Sequence, residues 1–132
     1  MSPERKSGPG VSPHDTTASS GFRFVIEIVA WVAGPWAAAE LSGSVWVALP
    51  TLVVLVALPA VCNTPGDKSS TLVVTPGPVR IAIELLLLVV AVASAWIVWP
   101  GWAATVVTTI GALMVVTGLS RYRWLAAGAP PA

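Results

Sequence analysis

Four long apolar runs dominate this chain, at residues 22–39, 44–62, 79–99 and 102–120. Each lies close to the ~20 mostly apolar residues that a membrane-spanning helix needs. The apolar residues surround each run instead of forming one stripe, so a water-soluble bundle, which needs a polar face, does not fit. In lipid the backbone must satisfy its hydrogen bonds within its own segment, and a helix is the simple way to do so. The connections alternate in character. Glu40-Leu41-Ser42-Gly43 and Pro100-Gly101 are tight turns, whereas residues 63–78 form a longer loop carrying Pro65, Gly66, Pro76, Gly77 and Pro78. These are turn and breaker residues.

The runs also repeat. Gly21-Phe22-Arg23-Phe24-Val25-Ile26-Glu27-Ile28 aligns with Pro78-Val79-Arg80-Ile81-Ala82-Ile83-Glu84-Leu85 at one constant offset, and Gly43-Ser44-Val45 falls on Pro100-Gly101-Trp102 at the same offset. Run 2 therefore maps onto run 4. A unit of two spans returns the chain to the side it started from, so both units insert the same way up. That is a parallel repeat, unlike the inverted repeats of many secondary transporters. The predicted fold is all-α, a polytopic membrane four-helix bundle built from two parallel-oriented helical-hairpin repeats.

Composition agrees with the pattern. The residues are 55% hydrophobic and 10% charged, with a mean hydropathy of +0.81. A soluble domain carries about 25% charged residues. The net charge of +1 supplies no basic field for nucleic acid. Cys62 is the lone cysteine and His14 the lone histidine. No intrachain disulfide can form, and no metal centre or cofactor is expected. Residues 1–20 are rich in Ser, Pro, Gly and Thr and are expected to form a disordered tail. The apolar stretch after them is too long for a signal peptide and contains Glu27. The transmembrane domain is placed at 21–124, with a short disordered tail at 125–132. Arg5, Lys6, Arg23, Lys68, Arg80, Arg121 and Arg123 all fall on one side of the four runs, and neither tight turn carries a basic residue. The positive-inside rule then puts both termini in the cytoplasm of an inner-membrane, multi-pass protein.

One group of residues carries a likeness. Arg-x-x-x-Glu opens run 1, Leu49-Pro50 stands early in run 2, Pro65 follows that run, and Pro78, Arg80, Glu84 and Leu85 open run 3. Across residues 21–122 this resembles the YrdB family of small bacterial integral membrane proteins of unknown function. The resemblance implies four membrane helices and no activity.

The candidate chemistry lies in a few side chains. Arg23, Glu27, Arg80 and Glu84 form two i,i+4 pairs, each on one helix face. A helix N-terminus favours Glu over Arg, so local helix stability does not explain the arginines. They can anchor topology, contact lipid phosphate or pair across the repeats, Arg23 with Glu84 and Arg80 with Glu27. Pairing within each helix is the competing arrangement. Trp36, Trp46, Trp96, Trp99 and Trp102 cluster at the outer helix ends, Trp124 at the inner end and Trp31 mid-span. They form an aromatic belt or an outer site for a lipid or partner. Thr105, Thr108 and Thr109, with Ala104, Gly111 and Gly118 nearby, read as a packing face or a polar lining. Gly34-Pro35 is expected to interrupt run 1, and Pro50 and Pro59 run 2, each proline freeing the carbonyl four residues back for a neighbouring helix or a cation. No nucleophile, base or metal cluster for an enzyme is visible. The expected role is a structural or accessory subunit of a membrane assembly, its partners being membrane lipids and a larger complex or a homo-oligomer. The alternative is a small proton- or cation-coupled transporter or channel using Glu27 and Glu84.

Overall fold

A computed structural model describes residues 17–63, 73–74 and 76–127 of the 132-residue chain. Among these residues lie five α-helices, α1 (Thr17–Ser42), α2 (Ala48–Val61), α3 (Gly77–Val98), α4 (Gly101–Thr117) and α5 (Leu119–Ala126). A short 3-10 turn, Val45–Val47, leads into α2. Cys62 and Asn63 pair in parallel with Val73 and Val74 over two residues each. Among the described residues the remaining elements are helical.

Local chemistry sets the boundaries. Gly43 adopts a positive φ of 74°, and its N–H bonds the Ala39 carbonyl at 2.9 Å, closing α1 with a left-handed cap. Ser44 then caps the 3-10 turn by accepting from the Trp46 N–H. Pro78 sits in the first turn of α3, where a missing N–H costs nothing. Gly118 ends α4, and α5 leaves at 57° to it.

Helices α1 and α3 form the centre, with α2 packed chiefly on α1 and α4 lodged against both. The core runs through Ile26, Ala30 and Ala33 of α1, Leu87, Ala91 and Ala95 of α3, and Ala104, Val107 and Met114 of α4. Small residues permit the close approach. A Cβ on Gly111 would meet Leu88 Cδ1 at 2.6 Å, and one on Gly34 would meet Leu55 Cδ1 at 2.7 Å. Gly34 also precedes Pro35, and lacking a Cβ it avoids the clash that proline imposes on its predecessor. Here the sequence expectation needs correcting, because Gly34-Pro35 does not interrupt helix 1. The helix continues through it to Ser42.

The spans are unequal. α1, at 26 residues, and α3, at 22, are long and apolar enough to cross a membrane. α2 spans only 14 residues, and α4 passes the same test only when joined to the bent α5. At 1.5 Å per residue α2 is roughly 21 Å long, short of a hydrocarbon core of about 30 Å. The exterior is apolar on many sides, including Phe24, Val32, Val53, Val89, Val106 and Val116. Such a surface suits lipid better than water. The expected tails are trimmed at both ends. Residues 17–20 are helical with Ser19 buried, and Leu125 is fully buried in α5. Residues 1–16 and 128–132 lie outside the described part.

Candidate functional site

The most concentrated chemistry sits where α5 folds back onto the start of α3. Gly77 makes this approach possible, because a Cβ there would overlap the Leu125 carbonyl. With α5 held so close, Arg121 reaches Glu84. Arg121 Nη1 donates to Glu84 Oε1 at 2.9 Å and Nη2 to Oε2 at 2.6 Å. This is the bidentate fork that matches a guanidinium to a carboxylate. Arg80, one turn before Glu84, brings its Nε to 3.2 Å from Oε2 and donates through Nη1 to the Cys62 carbonyl at 3.4 Å. Arg80 is 0% exposed, Glu84 2% and Arg121 1%. One carboxylate thus joins α3 to α5, while Arg80 joins α3 to the end of α2.

Tyr122 stands beside this group, beyond the last apolar run. Burial pushes its hydroxyl up to about 12 from an ordinary value of 10.0. The Glu84 charge acts in the same direction, and Arg121, Arg23 and Arg80 oppose it. Arg23 of α1 therefore belongs to the same electrostatic neighbourhood.

The two Arg-x-x-x-Glu motifs meet different surroundings. Glu84 is buried and held by arginines, whereas Glu27 is half-buried. Glu27 lines a small cavity of about 120 Å³ between α1 and α2, together with Trp31, Val56, Pro59 and Ala60. The within-helix pairing is realised at Arg80 and Glu84. In the sequence Arg121 stands out only as a topology anchor. Spacing puts Gly118, Arg121 and Leu125 on one helix face, but they form no apolar stripe and Arg121 and Leu125 lie past the expected span, so the sequence carried no signal for this burial.

The tryptophans disperse. Trp36 borders an open groove between α1 and α3. Trp96 donates its indole N–H to Thr108 Oγ1 at 3.0 Å, and Trp99 packs against the core. Trp46 and Trp102 are each 75% exposed. The five outer aromatics do not converge on one pocket. Trp31 instead donates to the Leu55 carbonyl at 3.0 Å. That carbonyl is the one Pro59 frees, so a neighbouring helix meets it. Thr105, Thr108 and Thr109 each donate to the carbonyl four residues back, at 2.7, 2.8 and 2.9 Å. Their hydroxyls are turned onto their own helix, while Ala104 and Gly111 face the interior. Among the described residues no three His, Cys, Asp or Glu side chains come together.

No known family model, curated protein or solved structure matches this chain.

Proposed function

We propose that this chain is a small integral membrane protein acting as a structural or accessory subunit of a membrane assembly. Its four apolar segments would lie as two parallel hairpins, with both termini cytoplasmic, and the YrdB resemblance belongs to the same reading. The observation that carries it is the buried Arg80–Glu84–Arg121 group. Both oxygens of Glu84 are taken up by guanidinium contacts that tie α3 to α5. A carboxylate so held locks helices together. The short α2 adds support, because a 14-residue helix does not reach across the hydrocarbon core by itself.

The test is purification of the tagged chain from native membranes in gentle detergent. One partner at fixed stoichiometry is the expected outcome. Elution of the chain alone under every mild extraction condition rejects the accessory role.

The transport reading keeps one specific support, the cavity beside Glu27. It requires pH-dependent flux in proteoliposomes that Glu27→Gln abolishes. Flux that survives this change, or no flux at all, removes it.

A further inference from the structure

The ends of α1 and α3 away from the arginines enclose an open groove of about 480 Å³, lined by Trp36, Glu40, Leu41, Ile97 and Val98. That size lies within the ~300–1,000 Å³ of small-molecule sites. Several features give the groove a negative sign. Both helices end here, α1 at Ser42 and α3 at Val98. Each helix C-terminus carries about half a negative charge from its aligned peptide dipoles. Neither last turn holds a basic side chain. Glu40 then adds a carboxylate where the dipole disfavours one. Helix stability therefore does not account for Glu40. It is also the only charged residue between positions 28 and 61, and positions 85–120 hold none. The remaining wall is apolar and open, with Trp36, Leu41 and Ile97 all exposed. An indole face attracts a cation.

We propose that this groove holds the cationic head of an amphiphile, with its apolar tail running along Leu41 and Ile97. An ammonium head gains from Glu40, from two helix C-termini and from the Trp36 ring. A neutral head gains none of these charge terms, and an anionic head is repelled. The inference rests on residence in a membrane and not on an accessory role, so the two can fail separately.

Native mass spectrometry of the protein in a non-ionic maltoside detergent tests it. The probes are dodecyltrimethylammonium, dodecyl sulfate and dodecanol, at matched concentrations below their micelle thresholds. The expected result is a one-to-one adduct with the cation, about tenfold tighter than with either of the others. Glu40→Gln should lower cation binding roughly threefold to fivefold toward the dodecanol level, the helix ends and the Trp36 ring keeping the remainder. Ile97→Trp should lower it by filling the groove, and Val116→Ala, on the exposed face of α4 outside the groove, should leave it unchanged. Circular dichroism and melting check that each variant folds. A second arm compares phosphatidylethanolamine with phosphatidylglycerol. Glu40-dependent retention of the former identifies a bilayer lipid as the source of the head, and binding of the single-chain cation alone identifies a soluble amphiphile. Equal binding of all three probes, or unchanged binding in a folded Glu40→Gln variant, overturns the proposal.

Discussion

Arg121 and Glu84 carry the sharpest energetic consequence in this chain. Their side chains are almost wholly buried, and they meet through two short, charge-assisted contacts. Removing one partner of such a pair strands the other, at a cost of ~3–5 kcal/mol when burial is complete. Arg80 still faces Glu84 after Arg121→Ala, so a loss near ~3 kcal/mol is expected. Adding Glu84→Gln should recover only part of it, because no carboxylate is then stranded but the buried Arg80 loses its own ion-pair partner. A double-mutant cycle on thermal stability in detergent should show coupling of ~1–3 kcal/mol. Additive losses would dismiss the clamp. Tyr122 offers an independent reading of the same neighbourhood. It is the chain's only tyrosine, so phenolate absorbance reports it alone. Its folded value of about 12 exceeds the unfolded value of 10.0. The unfolded chain therefore loses its proton first. The stability this contributes is complete below pH 10 and declines as pH rises toward 12. Tyr122→Phe should flatten that decline, and a folded-state titration midpoint at 10 would refute the burial argument.

At the scale of elements, glycines set how closely the helices approach, and they are not equivalent. At Gly77 an added Cβ meets the Leu125 backbone, which cannot swing aside. Gly77→Ala should lift α5 from α3, break the Arg121 contact and cost at least the ~1–3 kcal/mol of an overpacked site. At Gly34 the nearest atom is Leu55 Cδ1, the far end of a flexible side chain. Gly34→Ala should cost distinctly less. Comparing the two melting shifts, with limited proteolysis of the C-terminal segment, checks the ranking, and equal shifts without C-terminal cleavage would contradict it. Trp31→Phe tests the joint between α1 and α2. The Leu55 carbonyl loses the indole donor, and ~1 kcal/mol is expected if no water replaces it. No change in melting would mean the bond contributes nothing.

For the whole molecule the question is which way it sits in the membrane. All seven basic residues lie on one side of the four apolar runs. In a Cys62→Ser background, a membrane-impermeant thiol reagent added from outside should label Ser42→Cys and miss Ser70→Cys. The opposite pattern reverses the topology. Labelling of both would show that α2 fails to cross, an outcome its length of 14 residues makes worth testing.

The sequence by itself determined the helical class, the apolar runs and their order, because hydropathy and breaker residues act locally along the chain. It also marked Arg80 and Glu84 as a pair, since i,i+4 spacing brings them together on any helix. It could not show that Glu27 and Glu84 occupy unlike sites. Identical motifs carry identical local preferences, and burial is decided by what packs over them. Glu84 lies beneath α5 because Gly118 ends α4 and Gly77 leaves room for Leu125. Glu27 instead borders the cavity between α1 and α2. The tight partner of Glu84 comes from Arg121, 37 residues away in the chain. No periodicity links positions so distant, so only the tertiary structure could join them. Likewise the groove at Glu40 exists because α1 and α3 end side by side, a juxtaposition that hydropathy along one strand of sequence does not encode.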